Sequence, residues 1–387
     1  METKKNNNKK HISFFAASAA AIFLISAILT GCDDDKNKVN SEDTLGQTAS
    51  VSDTESESDV QTSDETDNTA GDSYNYKTVN RLTGMPLSSE ELHDQRPIAV
   101  MINNIHIACP QVGIRNADIM YECTVEGGIT RLMMLTTDYK TLGTIGSIRS
   151  CREYYLDMAA NHDAIYVHIG GSNSGYENIR NRNVDDIDGL TSNMYFRDQD
   201  RLKNMGYEHS AMSNGELISK AIDTKNYRTE YKDGDNTSFK FIPYNEEQNS
   251  TENGSTATNI KIPYTSVHQP RFEYNESTGK YDRFQFIDEK HIDGETGEQL
   301  AFDNVLIIQC KHSARNDEKN RINVFMTGTG KGYYASQGKY IPITWEKTDV
   351  DSPMKLKTSD GNELMLNCGK TFVNIVSEVT FPAITME

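Results

Sequence analysis

One stretch, residues 120–172, constrains the fold of this chain more than any other segment. Most of the chain is polar and weakly patterned, whereas here apolar runs of strand length adjoin glutamates, arginines, an aspartate and a histidine. Ionisable side chains beside buried strands cost free energy unless they are paired or hydrogen-bonded. We therefore expect this stretch to contain the functional site.

Several apolar runs show little alternation, which is typical of central strands. These runs are residues 98–102, 119–125, 131–136 and 164–169. The pair Gly127-Gly128 separates the second run from the third and predicts a hairpin. Apolar residues recur at helical spacing in 151–161, so this segment is predicted to be a helix with Ser150 as its N-cap.

Composition divides the rest of the chain. Residues 79–232 mix strand and helix patterns and predict an N-terminal mixed α/β domain. Residues 233–258 are polar and poor in apolar side chains, which indicates a linker or insertion. From 259 to 387 short strand patterns with alternating aromatics predict a mainly antiparallel β domain. The expected fold class is thus α+β.

The N-terminus is typical of an exported lipoprotein. Residues 1–31 combine a lysine-rich start with an apolar run at 14–28, as a signal peptide does. This run ends in Leu29-Thr30-Gly31-Cys32, a pattern like a bacterial lipobox. It predicts lipidation of Cys32, with diacylglycerol and palmitate chains that anchor the protein on the extracytoplasmic face of the cell membrane.

An acidic segment follows the anchor. Residues 32–78 contain 13 acidic residues and three lysines, a composition that predicts a disordered tether. Removing the tether's −10 and the signal peptide's +3 from the overall charge of −18 leaves −11 for residues 79–387. Such an acidic folded part argues against nucleic-acid binding.

The cysteines give little sign of a metal or disulfide framework. Apart from Cys32, five cysteines occur at irregular spacing without a CxxC pair: Cys109, Cys123, Cys151, Cys310 and Cys368. They are either mostly buried thiols or include a single disulfide. No HExxH motif occurs, and we predict no metal and no cofactor.

Several motifs resemble one known family. In the first half they are the segments 126–131, 146–152 and 168–172, and in the second half the segments 294–298, 301–305, 328–333, 341–345 and 369–371. Together they resemble the YerB-like lipoproteins of Gram-positive bacteria over about residues 80–377. The resemblance implies a lipid-anchored protein with an α/β domain, a mainly β domain and no characterised biochemical role.

The arginines near the predicted helix start point to an anion. Arg149 precedes that start and Arg152 lies in the first turn, where a cation is unfavourable against the helix dipole. Either an internal carboxylate, Glu122 or Glu126, or an external phosphate or carboxylate should lie nearby. The predicted ligand-binding residues are Glu122, Glu126, Arg131, Arg149, Ser150, Arg152, His168 and Ser172.

Two functions agree with these residues. The first is binding of an anionic cell-wall polymer or an envelope protein, with the membrane as a further partner through Cys32. The alternative is a cell-envelope hydrolase in which Glu126 and His168 act as general acid and base, since His168 ends a predicted strand. The sequence leaves open whether the protein is an enzyme.

Overall fold

The structure, a computed structural model, describes residues 74–232 and 237–387. The predicted signal peptide, the lipidation site Cys32 and the tether up to residue 73 lie outside the described residues. Tyr76–Thr78 form a 3-10 turn, so the last residues of the segment predicted to be disordered have regular backbone structure. Within the described ranges, no helix is both long and apolar enough to cross a bilayer.

The first half alternates strands and short helices. The strands of residues 74–232 are β1 (Ile98–Asn103), β2 (Ile119–Thr124), β3 (Thr130–Thr136), β4 (Ile145–Gly146), β5 (Ile165–His168), β6 (Asp186–Asp188), β7 (Phe196–Arg197) and β8 (Ala211–Ser213). The helices are α1 (Glu91–Asp94), α2 (Glu153–Ala160), α3 (Asn173–Arg182), α4 (Gln199–Asn204) and α5 (Gly215–Lys225).

The second half is built of strands. They are β9 (Lys240–Phe241), β10 (Ser255–Thr256), β11 (Asn259–Lys261), β12 (Arg271–Asn275), β13 (Lys280–Gln285), β14 (Glu289–Lys290), β15 (Ala301–Phe302), β16 (Asn304–Ala314), β17 (Ile322–Phe325), β18 (Gly328–Ser336), β19 (Lys339–Lys347), β20 (Lys355–Thr358), β21 (Met365–Leu366), β22 (Thr371–Ser377) and β23 (Thr385–Met386).

A 12-stranded sheet runs through both halves. Its strand order is β10-β19-β18-β16-β22-β2-β3-β1-β5-β6, with β17 and β20 paired to β16 and β19. The two halves join where β2 and β22 pair in parallel, from Ile119 opposite Thr371 to Cys123 opposite Ile375. A smaller antiparallel sheet has the order β14-β13-β12-β11-β23, with β15 paired to β13.

The fold class is the expected one, a mixed α/β part followed by an antiparallel β part. The segment predicted as a linker contributes β9 and β10, which pair with β21 and β19. The domain boundaries themselves stay predictions. Two apolar cores lie on the opposite faces of the large sheet, and successive residues of β1 alternate between them.

The predicted hairpin is confirmed, since β2 and β3 pair antiparallel up to Thr124 opposite Thr130. The predicted N-cap Ser150 is wrong: α2 begins at Glu153, and its N-cap is Arg152. Backbone hydrogen bonds explain the shift. The Arg149 N–H donates to the Met101 carbonyl at 2.9 Å, and the Cys151 N–H donates to the Gly170 carbonyl at 2.9 Å. Residues 149–151 therefore pair with neighbouring backbone, and the helix begins only at Glu153.

Candidate functional site

Two helices begin side by side at one edge of the first half. Cys151, before α2, pairs with Gly171, before α3, in a parallel bridge, and the Ser172 N–H lies 3.3 Å from the Cys151 carbonyl. Ser172 is the N-cap of α3, and its Oγ accepts a hydrogen bond from the Gly175 N–H at 3.0 Å. The positive ends of both helix dipoles therefore lie close together.

A cleft of about 560 Å³ opens at these helix starts. Its charged lining residues are the cations Arg149, Arg152, Arg197, Lys319 and Arg321 and the carboxylates Glu126 and Glu208. The predicted site residues Ser150 and Ser172 also line it. The cleft thus has an excess of three positive charges, although the folded part as a whole is acidic.

Glu126 is the internal partner of Arg152. The Arg152 Nε donates to Glu126 Oε2 at 2.9 Å, and the Arg152 Nη2 pairs with Glu126 Oε1. The Arg131 Nη2 lies 3.5 Å from the same Oε1. Burial by itself would raise the pKa of Glu126, but the hydrogen bond and charge of Arg152 and the charge of Arg131 lower it to about 2. Glu126 therefore stays ionised at neutral pH and neutralises one of the arginines.

Other cations of the cleft are less well neutralised. Arg149 lies 3.3 Å from a carboxylate oxygen of Glu208, whose side chain is 71% exposed, and the Arg149 Nε has no hydrogen-bond partner. Arg197 and Lys319 form no ion pair with any described residue. Arg321 pairs with Asp317 at 2.8 Å. Positive charge therefore remains available to a ligand in the cleft.

His168 lies apart from the cleft lining. Its ring is fully buried, with Nδ1 2.8 Å from the Gly170 carbonyl and Nε2 3.1 Å from Asp186 Oδ2. Both nitrogens are thus occupied: the first contact holds the turn between β5 and α3, and the second connects β5 to β6. The structure does not bring His168 and Glu126 together as a hydrogen-bonded acid–base pair.

Glu122 belongs to a different cluster. Its fully buried carboxylate pairs with the fully buried Arg283 and with His268 Nε2 at 2.6 Å. It also accepts hydrogen bonds from Thr130 Oγ1 at 2.6 Å and Asn104 Nδ2 at 3.0 Å. Burial would raise the pKa of Glu122, but the charges of Arg283 and His268 lower it to about 2. Glu122 therefore does not contribute to the cationic cleft.

Several cleft residues come from distant segments and were not predicted from the sequence. Arg197 is in β7, Glu208 precedes β8, and Lys319 and Arg321 lie in the turn between β16 and β17. Charged loop residues occur throughout this chain, so nothing local distinguishes these four. Arg283 left a weak signal, because period-two alternation in β13 puts it on the same buried face as Tyr281.

The five cysteines of the described residues are all free thiols. Burial raises the pKa of Cys151 to about 12, which is the opposite of what a nucleophilic thiol needs. Within residues 74–232 and 237–387, no cluster of three or more histidines, cysteines or carboxylates is placed to hold a metal ion.

Comparisons with known proteins agree with this fold. Residues 82–228 match the family described as "Protein of unknown function (DUF3048) N-terminal domain", and residues 260–373 match the corresponding C-terminal domain. A relative from Bacillus subtilis (strain 168), named "Putative lipoprotein YerB", is 27% identical over 314 residues, covering 79% of this chain and 88% of the relative.

The crystal structure of the YerB protein from Bacillus subtilis superposes with a TM-score of 0.68 at 25% identity. The match covers 80% of this chain and 99% of that one. Both halves of this chain therefore have counterparts in the same order. The chain belongs to the two-domain DUF3048 family and resembles YerB across most of its length.

Proposed function

We propose that this protein is a lipid-anchored envelope protein whose cationic cleft binds an anionic polymer of the cell wall. The observation that carries the proposal is the cleft itself, in which five cationic side chains face two carboxylates. The starts of α2 and α3 add their dipoles to this positive potential. Phosphates of teichoic acids and carboxylates of peptidoglycan are ligands of the matching charge.

A pair of substitutions tests the cleft. Arg149→Gln with Lys319→Gln removes two cations of the cleft, and the fold should persist because the side-chain hydrogen bonds of Arg149 all go to Glu208 in an exposed turn and Lys319 forms no ion pair with a described residue. We expect binding to purified teichoic acid, measured by co-sedimentation, to fall at least tenfold, because both charges are lost from one site. The wild-type affinity should also decrease with salt, since the attraction is screened.

The matched control neutralises two cations elsewhere. Lys261 on β11 and Lys331 on β18 are exposed and lie outside the cleft. Lys261→Gln with Lys331→Gln changes the net charge by the same amount and should leave binding unchanged. Equal loss in both double variants would mean that the polymer responds to net charge and that the cleft is not its site.

The membrane anchor is a part of the proposal that rests on the sequence and on the name of the relative. Acyl chains on Cys32 bury many methylene groups and hold a protein stably on a bilayer. In cells, the full-length chain should fractionate with membranes and incorporate labelled palmitate. A Cys32→Ser chain should lose the label, and retention of the label by this variant would exclude Cys32 as the lipidation site.

The contacts of Glu126 and His168 favour binding over hydrolysis. A general acid or base works best with a pKa near the operating pH, whereas Glu126 is held at about 2 and the nitrogens of His168 are already bonded. Peptidoglycan incubated with the protein should release no muropeptides. Release by the wild type, abolished in Glu126→Gln, would replace this proposal with a hydrolase.

A further inference from the structure

We infer that the ligand of the cleft carries a sugar ring directly beside its anionic group. This inference rests on the proposed function and names the ligand class of the same site. It depends on Tyr207, which lines the cleft with 65% of its surface exposed.

Tyr207 is held in place as a stacking surface. The guanidinium carbon of Arg197 lies 3.7 Å from the centre of its ring and covers one face by a cation–π contact. Arg197 also donates to the Tyr207 carbonyl at 2.5 Å, and Ser210 Oγ donates to the same carbonyl at 3.0 Å. The backbone and one face of the ring are therefore fixed, while most of the side chain is open to a ligand.

The cleft offers apolar surface as well as charge. Leu190, 64% exposed, lines it together with Ile148 and Ile169. Inorganic phosphate or a small carboxylate would use only the cations and leave this surface in water. A pyranose ring presents an apolar face of C–H groups that can lie on an aromatic ring, and its hydroxyls match the polar groups of Ser150 and Asn173 in the same cleft.

Arg197 belongs both to the aromatic surface of the cleft and to its cationic surface. It stacks on Tyr207 and carries a positive charge that no described carboxylate pairs with, so the ring surface and the anion site share one side chain. A sugar ring on the open face of Tyr207 would place an adjacent phosphate beside Arg149, which contacts the neighbouring Glu208. This arrangement fits a glycosyl phosphate, whose phosphate is attached directly to the sugar.

Isothermal titration calorimetry with three probes tests the inference: N-acetylglucosamine 1-phosphate, inorganic phosphate and N-acetylglucosamine. The wild type should bind the sugar phosphate about tenfold more tightly than inorganic phosphate, and the neutral sugar most weakly. Tyr207→Ala should remove that tenfold preference and leave phosphate binding intact. Tyr207→Phe, which keeps the ring, should retain the preference.

The controls separate this inference from the proposed function. Phe325, 46% exposed on β17 with the Lys311 ammonium 6.0 Å from its ring centre, is an aromatic–cation pair outside the cleft, and Phe325→Ala should change nothing. If the wild type binds phosphate but shows no preference for the sugar phosphate, or if Tyr207→Ala keeps the preference, the sugar inference fails alone. If neither anion binds, the anion site and the inference both fail.

Discussion

At the scale of single residues, the buried ion pair of Glu122 and Arg283 joins the two halves of the chain. Glu122 is on β2 and Arg283 on β13, 161 residues later, and neither side chain has exposed surface. Removing two charges from water costs several kcal/mol, which their attraction repays only while both partners are present. The pair therefore makes the correct docking of the small sheet conditional on the N-terminal half.

Glu122→Gln should destabilise the protein by about 3–5 kcal/mol, because it leaves the Arg283 charge buried without its carboxylate. Urea unfolding followed by circular dichroism measures this change. The double variant Glu122→Gln with Arg283→Met should be less destabilised than the sum of the single variants, since it removes both charges together. Additive losses would show that the pair contributes no coupling.

The sequence indicated that Glu122 needs a partner, but it could not indicate which one. A carboxylate in an apolar strand is recognisable locally, whereas Arg283 reaches it only through the packing of two sheets. The same limit applies to the cleft. Arg149, Arg152, Ser150 and Ser172 were found from one continuous stretch, while Arg197 and Lys319 come from segments that only the fold brings near.

At the scale of elements, the strands were more predictable than the helix starts. Apolar runs with both faces buried identify β1, β2, β3 and β5 directly. The start of α2 was misplaced because Ser150 is a favourable N-cap by type, and local pattern does not show that residues 149–151 are held by backbone hydrogen bonds to β1 and the β5–α3 turn.

The N-cap of α3 permits a local test. Ser172→Ala removes the acceptor of the Gly175 N–H and should lower the free energy of unfolding by about 1 kcal/mol. The neighbouring Asn173→Ala is the control, since Asn173 is exposed and its side chain does not cap the helix. Thermal unfolding of the two variants should differ, and equal melting temperatures would contradict the assigned cap.

At the scale of the whole molecule, the continuous sheet explains why domain division is difficult to read from sequence. Composition changes sharply after residue 258, yet β22 from the far end of the chain inserts between β16 and β2. The pairing register of strands that are more than 200 residues apart is set by packing on both faces, which no local pattern encodes. Stability should accordingly depend on groups buried in both halves.

Two buried histidines, His162 and His291, and the half-buried His312 make this stability depend on pH. Burial and the charge of Lys347 lower the pKa of His162 to about 3. Burial lowers the pKa of His312 to about 4. Burial and the charge of Arg283 lower the pKa of His291 well below its usual range. An unfolded histidine titrates near 6.5, so the unfolded chain binds more protons below that pH. These histidines therefore contribute stability above pH 6.5 that is lost as the pH falls.

Buried carboxyls such as Asp157, whose pKa burial raises to about 6, have the opposite effect on the pH dependence of stability.

The contribution of one histidine can be isolated from the slope of the unfolding free energy against pH. In the wild type, His162 should add about 1.4 kcal/mol per pH unit to the dependence of unfolding free energy on pH between about 4.5 and 6. His162→Gln should reduce the slope by that amount, even if losing the contact between Nε2 and the Tyr121 hydroxyl at 2.7 Å lowers stability at every pH. Tyr121→Phe removes the same contact while keeping the imidazole, so it should leave the slope unchanged. Urea titrations at several pH values measure both, and an unaltered slope in His162→Gln would show that His162 is not kept neutral by burial.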